Sequence, residues 1–275
     1  SSQAGTVTAF GSDGFSLGNN AEVNANNGSY VSWNWKANGA GSANTDGSIN
    51  TTATSANTTS GFSISTYTGT GANASIGTGL GAIPHMAIFK RTDTSGFNWF
   101  VYHRSLGAGK FIILDTTGAE QSSTSIWQNT TPTSSVITLG GDGGVNASGG
   151  TYVCYAFAEK KGFSKFGSYS ANNNADGPMI YTGFSPAFVI IKSSNDTRDW
   201  CILDNKRPGY NVVNKDLRAN ETDVESTQDR VDFLSNGFKL RNASGAYNST
   251  GNTYIYMAFA EAPLVGSNNI PATAR

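Results

Sequence analysis

Two glutamates end a phrase that the sequence contains twice, and a repeated carboxylate suggests an enzyme. Glu159 ends TYVCYAFAE, and Glu261 ends TYIYMAFAE. A glycosidase needs two carboxyl groups roughly 5 to 9.5 Å apart on either side of the bond that it cleaves. Here each glutamate belongs to a separate copy of the phrase, without an acidic residue at close strand spacing, and Ala37 stands near the equivalent position early in the chain. We therefore predict no catalytic residue and expect each glutamate to form a structural ion pair with a neighbouring lysine.

Histidine and metal chemistry have little support in the sequence. His85 and His103 align with Ala187 and Asp204 of the second copy, so a function common to both copies cannot depend on histidine. Acidic residues gather around Asp142 and in ANETDVESTQD, but neither stretch has the spacing of a calcium-binding loop. The sequence therefore predicts solvated loops there, and no metal or cofactor.

Aromatic rings beside amides and carboxylates indicate a different chemistry, the recognition of sugars. A pyranose stacks on an exposed ring, while Asn, Asp or Gln side chains bond to its hydroxyl groups. Trp127 in SSTSIWQNTT and Tyr210 in RPGYNVV lie in loop-like segments that the two copies do not share. Asp142 and Asn146 lie in a polar segment of the first copy. These four residues form the predicted ligand-binding set.

The composition excludes two classes of partner. Charged residues make up 13% of the 275-residue chain, whereas about 25% is usual, and the net charge is −1. Such a chain lacks the basic surface that binds nucleic acid. No apolar run reaches the roughly 18 residues of a membrane helix, so we predict no membrane insertion. A surface rich in Ser, Thr, Asn and Gly is typical of extracellular β-proteins and virion appendages.

An internal duplication organises the chain. Tyr152 and Tyr254 are 102 residues apart, and the same offset joins Lys90 to Lys192. A partial third copy opens the chain, because SYVSWNWKANG occupies the position of TYVCYAFAEKKG. The predicted organisation is residues 1–36, the last strands of a partial upstream module; 37–61, a Ser/Thr/Asn-rich linker; 62–160, module A; 163–263, module B; and 264–275, a C-terminal tail. Two alternatives stay open: residues 37–61 follow another subunit as an ordered segment, and residues 1–36 complete a neighbouring chain.

Both copies consist of strand signals. Short runs rich in branched and aromatic residues alternate with Gly, Asn, Asp and Ser clusters, and Trp99 and Trp200 lie inside such runs, where we expect them to be core residues. In TYVCYAFAE both pleat faces are apolar, which predicts a sheet covered on both sides. Cys154 and Cys201 lie in similar runs and are expected to be buried free thiols. We predict an all-β fold of tandem antiparallel β-sandwich modules.

Several stretches, taken together and in order, resemble a repeated concanavalin-A-like domain of tail-fibre and other structural proteins of tailed bacteriophages. The stretches that carry the resemblance are SDGFSLG, NGSYVSWNWKANG, NTDGSINTTATSANTTSGFSI, TGLGAIPHMAIFKR, TPTSSVITLG, NASGGTYVCYAFAE, GFSKFGSYSANNNADGPMIYTGFSPAFVIIK, DFLSNGFKLRN and TYIYMAFAEAPL. The resemblance implies jelly-roll, lectin-like modules on a virion appendage, in a homotrimer that contacts other virion subunits. It carries over no catalytic residue. Where related proteins often have V-G-H-G-L-G, this chain has Thr78 in place of the histidine.

Three functional hypotheses follow from the sequence. The first is a non-catalytic virion protein, a tail fibre or adhesin on the virion surface that attaches to host cell-surface polysaccharide through loop aromatics and amides. The second is a purely structural decoration or fibre-shaft protein without glycan binding. The third is a glycan depolymerase.

Overall fold

The computed structural model describes residues 4–261, and within them the chain is an all-β protein. The last residues of the predicted module B and the predicted tail at 264–275 lie outside this range. The strands are, in chain order, β1 (Val7–Phe10), β2 (Phe15–Leu17), β3 (Ala53–Asn57), β4 (Phe62–Thr68), β5 (Ala74–Gly77), β6 (Met86–Arg91), β7 (Phe100–His103), β8 (Lys110–Ile113), β9 (Gln121–Ser122), β10 (Val136–Leu139), β11 (Thr151–Phe157), β12 (Ser164–Ser170), β13 (Met179–Tyr181), β14 (Phe188–Ser193), β15 (Cys201–Asp204), β16 (Val213–Arg218), β17 (Ser226–Leu234), β18 (Gly237–Leu240) and β19 (Thr253–Phe259). Helices are limited to single turns, α1 (Ala21–Asn24), α2 (Thr124–Trp127) and α3 (Gly143–Asn146).

The two copies, which we call repeat A (residues 62–160) and repeat B (residues 163–263), use the same strand order. Of the four sheets in residues 4–261, the two largest run β3-β4-β11-β6-β7-β8-β9 and β12-β19-β14-β15-β16-β17-β18-β13, and the other two are the pairs β1-β2 and β10-β5. In each repeat the last strand lies between the first and the third, and the fourth strand follows the third. This gives β4-β11-β6-β7 in repeat A and β12-β19-β14-β15 in repeat B, with antiparallel pairing in both series. The antiparallel all-β prediction is confirmed, and the duplication seen in the sequence has a structural counterpart.

The strand formed by TYVCYAFAE lies at the centre of its sheet and is covered on both faces. β11 pairs with β4 on one side and with β6 on the other. Cys154 and Ala156 point into the core of repeat A, whereas Phe157 points to the opposite face, where Phe166 and Phe259 of repeat B cover it. The prediction from the two apolar pleat faces is therefore confirmed.

Apolar side chains gather in three clusters. Repeats A and B each have their own core, and the predicted core residue Cys201 lies in the second of these. The third cluster lies between the repeats and draws on both, with Phe62 and Met86 from A and Phe166 and Trp200 from B. Burying a large apolar side chain contributes about 1.5 to 3 kcal/mol, so this third cluster joins the repeats firmly.

Both cysteines are buried free thiols, as predicted. Burial raises the pKa of the Cys154 thiol, and it raises the pKa of Cys201 to about 12. Neither sulfur is a reactive thiolate near neutral pH.

The segment predicted as a linker is partly built into repeat A. β3 pairs with β4 along its whole length, and Ile49 is buried in the core of the repeat. Polar side chains can be buried there because they bond to one another: the hydroxyl of Thr54 lies 2.9 Å from that of Thr51 and 2.9 Å from that of Ser65. Low sequence complexity in this segment thus reflects a buried hydroxyl network in an edge strand.

The partial copy folds like the end of a repeat. A tyrosine hydroxyl accepts a hydrogen bond from the amide five residues earlier and donates one to the carbonyl nine residues earlier. We call this arrangement the tyrosine clip. It occurs at Tyr30, Tyr152 and Tyr254, with the amides of Ala25, Ala147 and Ser249 and the carbonyls of Ala21, Gly143 and Gly245. The three clips establish Tyr30, Tyr152 and Tyr254 as equivalent positions.

Candidate functional site

Trp127 is a core residue, and the expectation of an exposed ring is wrong. Its side chain is 1% exposed, and its ring lies 5.1 Å from that of Phe89 and 6.1 Å from that of Tyr102. The whole indole can be buried because its Nε1 donates to the carbonyl oxygen of Lys110 at 3.0 Å. The buried ring of Trp127 therefore cannot stack on a sugar, contrary to the prediction from the sequence.

Asn146 and Asp142 hold the polar segment around α3 in place. Asn146 is fully buried, its Nδ2 donates to the carbonyls of Ala72 and Gly140, and its Oδ1 accepts from the amide of Thr70. Asp142 is the N-cap of α3, where Oδ1 accepts from the amide of Gly144 at 2.8 Å. Both side chains therefore have a structural task that the sequence pattern did not indicate.

Tyr210 is the one member of the predicted set with a free ring. Its side chain is 83% exposed. It lines two shallow cavities of about 290 and 340 Å³, the first with Asn205 and Phe233 and the second with Arg207 and Asp229. The Oδ1 atom of Asn205 is buried and has no hydrogen-bond partner within residues 4–261. An exposed ring next to such groups has the chemistry of a sugar contact.

Glu159 and Glu261 are engaged in ion pairs with lysine, as predicted. Lys165 Nζ lies 2.8 Å from Glu159 Oε1, and Lys206 bonds to Glu261. The lysine ammonium lowers the pKa of Glu261 through its hydrogen bond and its charge. Each carboxylate thus forms a structural ion pair just after the end of its strand.

Three equivalent aromatic residues meet at the centre of the molecule. Trp35, Phe157 and Phe259 each lie five positions after the tyrosine of a clip. The ring centroids are 6.1 Å apart for Trp35 and Phe157, 5.5 Å for Trp35 and Phe259, and 6.0 Å for Phe157 and Phe259. We call these three side chains the aromatic hub. The partial copy and both repeats therefore surround one point with near-threefold symmetry.

A groove runs beside the aromatic hub. Its volume is about 910 Å³, and its walls include Trp33, Ile64, Ile88, Trp99 and Leu114. We call it the hub groove. Most of the side chains in its walls are apolar. Trp99, expected in the core, lies half-buried in its wall, whereas Trp200 is buried as expected.

A charged network flanks the partial copy. The indole Nε1 of Trp33 donates to Asp204 Oδ2 at 3.2 Å, and the guanidinium of Arg207 binds both Asp204 and Glu225. Burial of Asp204 opposes its ionisation, but the hydrogen bonds and charge of Arg207 outweigh burial and hold the pKa of this carboxyl below its usual range. The network fastens residue 33 to repeat B.

Neither a metal-ligand cluster nor a membrane-spanning helix is found in residues 4–261. No group of three His, Cys, Asp or Glu side chains there is placed to hold a metal ion. No helix in the same range is long and apolar enough to cross a membrane.

The family model of DUF7483, a domain of unknown function, matches residues 1–263. The chain belongs to the DUF7483 family. No curated protein and no solved structure matches it. The match of this DUF7483 chain spans the partial copy, repeat A and repeat B.

Sequence reasoning missed the hub and its groove. The available signal was the alternation in SYVSWNWKANG, where Val31, Trp33, Trp35 and Ala37 share one strand face. In the structure Trp33, Trp35 and Ala37 pack on the cluster between the repeats, while Ser32, Asn34 and Lys36 are exposed.

Proposed function

We propose that this DUF7483 chain is a non-catalytic structural component of a tailed-bacteriophage virion appendage, built of tandem jelly-roll modules of concanavalin-A type. The observation that carries the proposal is the aromatic hub. Both repeats and the partial copy bury one face against the other two, which makes a rigid body out of units that also have their own cores. A spacer in a fibre needs such rigidity. The sequence resemblance to tail-fibre proteins supports the same assignment.

The use of the carboxylates favours a non-catalytic role over a glycan depolymerase. Glu159 and Glu261 each pair with a lysine and lie in different repeats. Trp127, Asn146 and Asp142 support the fold, which favours a structural role over a broad sugar-binding face. The proposal places the chain on the virion, in contact with other virion subunits and as a homotrimer.

Labelling of virions tests the structural proposal. Antibodies raised against the purified chain should place gold particles on an appendage of the phage that encodes it, in electron micrographs of purified particles. Light scattering of the purified protein should give a mass near three times 28.8 kDa. Virions that carry no label would overturn the assignment, and a monomeric mass would overturn the trimer.

Attachment to host polysaccharide at Tyr210 is the second candidate. The specific observation is an 83% exposed ring that lines two cavities of repeat B, whose walls include the polar side chains Asn205 and Asp229. On a glycan array the intact protein should bind a host polysaccharide, and Tyr210→Ala should reduce binding at least tenfold. Tyr181→Ala is the matched control, because Tyr181 is another exposed ring, on β13. Equal losses for both variants, or no binding by the intact protein, would reject this candidate.

A further inference from the structure

The strand equivalent to β11 and β19 has no partner in the partial copy. From the tyrosine clips, residues 29–35 correspond to Thr151–Phe157 of β11 and Thr253–Phe259 of β19. β11 and β19 are each hydrogen-bonded to a strand on both sides. Residues 29–35 pair with no strand within residues 4–261. Two open backbone edges in one extended segment are a template for further strands.

The hairpin before this strand exposes side chains that repeat B buries. β1 and β2 pair Phe10 with Phe15, as β17 and β18 pair Phe233 with Phe238. Phe238 and its neighbour Leu240 are fully buried in the core of repeat B. Their counterparts Phe15 and Leu17 are 36% and 40% exposed. The hairpin therefore has the apolar face of a core without the rest of that core.

In the hub groove, apolar side chains of repeat A also lack the cover that their equivalents in repeat B have. Phe166 of repeat B is 2% exposed, because Phe157 of repeat A packs against it with ring centroids 6.2 Å apart. The equivalent residue of repeat A, Ile64, is only half-buried and lines the groove, as does Ile88.

Trp99 lacks the hydrogen bond that its counterpart makes. Trp200 Nε1 of repeat B donates to the carbonyl oxygen of Ile113 in repeat A at 2.8 Å, across the interface between the repeats. The indole N–H of Trp99, which lines the hub groove, has no acceptor within residues 4–261. By the near-threefold symmetry, its acceptor would be the carbonyl at the end of a third β8-like strand.

We propose that residues 29–36 and the hub groove form a docking site for the opening strands of a third repeat. The occupant is a polypeptide segment with the pattern of residues 61–125, joined in cis ahead of the β1–β2 hairpin, in the chain order that repeats A and B both use. Strands equivalent to β4 and β6 pair with the two edges of residues 29–36. Strands equivalent to β7 and β8 cover the hub groove. The carbonyl at the end of the β8-like strand accepts the hydrogen bond from the Trp99 indole N–H.

The inward side chains of the open strand define the chemistry of this occupant further. Ser32 and Asn34 stand where repeat A has Cys154 and Ala156. The facing residues of β4 are Ser65 and Ser63, both buried. A β4-like strand thus offers hydroxyl groups to Ser32 and Asn34. A second copy of this chain has its own β4 and β6 already paired, so it could meet residues 29–36 along one edge only.

Hydrogen exchange on the unmodified chain is the first test. The amides of residues 31–35 should exchange at least about 100-fold faster than those of Thr151–Phe157, which are bonded on both edges. Slow exchange of residues 31–35 at low protein concentration would overturn the proposal, since these edges would then not be open. Slow exchange that appears only as dimers form would also overturn it, in favour of a second copy as the occupant.

A fusion protein is the second test. A copy of residues 61–125 is joined directly to Thr6, because the amide of Gly18 bonds to the carbonyl of Thr6 as the amide of Gly140 bonds to that of Ile126. The matched control carries the same copied residues in scrambled order. In the fusion, and not in the control, the amides of residues 31–35 should become at least about 100-fold more protected. A folded fusion without this protection would overturn the proposal.

The third test compares the unfolding midpoints of Trp200→Phe and Trp99→Phe, and it does not depend on the folding of the fusion protein. In the unmodified chain, Trp200→Phe should lower the unfolding midpoint clearly, and Trp99→Phe should leave it within 1 °C of the parent. In the longest natural polypeptide that contains this chain, or in the assembled virion, both variants should be destabilised alike. A Trp99→Phe variant that stays neutral there would contradict the proposed docking of a third repeat.

Discussion

The tyrosine clip allows one hydrogen-bonding unit to be tested in three surroundings. Tyr254 and Tyr152 are 0% and 1% exposed, whereas Tyr30 is 51% exposed. Each hydroxyl accepts from one backbone amide and donates to one carbonyl, at 2.6 to 3.0 Å in the three clips. A substitution by Phe removes both bonds and keeps the ring.

The magnitude follows from the two backbone groups that lose their partner. An unsatisfied buried donor or acceptor costs about 1 to 3 kcal/mol, so the loss of two partners in Tyr254→Phe should cost about 2 to 6 kcal/mol. Tyr152→Phe should cost a similar amount. Water reaches the exposed Tyr30 clip and replaces the lost bonds, so Tyr30→Phe should cost less than about 1 kcal/mol.

Urea unfolding followed by circular dichroism measures these differences. The midpoint should fall for Tyr152→Phe and Tyr254→Phe with unchanged dependence on urea, and it should barely move for Tyr30→Phe. Val153→Ala is a control for changes on β11 that leave the clip intact. Equal losses at all three tyrosines would refute the argument, because the cost would then not depend on burial. A loss below about 0.5 kcal/mol for Tyr254→Phe would refute it as well.

Three further predictions concern the pH dependence, the hub and one glycine. Burial lowers the pKa of His103 to about 4, from 6.5, so the unfolded chain binds more protons than the folded chain between these pH values. The free energy of unfolding should therefore fall by about 3 kcal/mol as the pH falls from 6.5 to 4. In urea unfolding at several pH values, His103→Gln should reduce this dependence on pH. Trp35→Ala removes three edge-to-face ring contacts and should cost about 3 kcal/mol, with a smaller loss for Trp35→Phe, by thermal unfolding. A Cβ on Gly140 would lie 1.9 Å from the Ser125 carbonyl oxygen, so Gly140→Ala should prevent stable folding, while Gly118→Ala, with its nearest contact at 3.5 Å, should be neutral.

The duplication and the strands were accessible from sequence because they depend on local pattern. The 102-residue offset and the two apolar faces of TYVCYAFAE predicted a central, doubly covered strand, and β11 is such a strand. Branched and aromatic residues at consecutive positions have few alternatives to a covered sheet.

The failures arise where a polar atom finds a partner far away in the chain. Trp127 is buried because Lys110 accepts its N–H, and Asn146 is buried because Ala72, 74 residues away, accepts its amide. Neither partner can be read from the local spacing. In the segment 37–61, Thr54 is acceptable in an edge strand only because Ser65 faces it on β4. Local composition indicated loops and linkers at all these places, and tertiary hydrogen bonds decided otherwise.

The hub explains why the central strands of both repeats are apolar on both faces. A single sandwich needs one apolar face per sheet, and the opposite face is normally polar. Phe157 and Phe259 break this pattern at equivalent positions because each repeat buries its second face against the other, and Trp35 extends the rule to the partial copy. A lone repeat would expose that face and would tend to aggregate. The apolar second face of each repeat is therefore explained by the duplication, because the other repeat buries it. The hub groove beside Trp99 is the part of this second face that stays only half-covered.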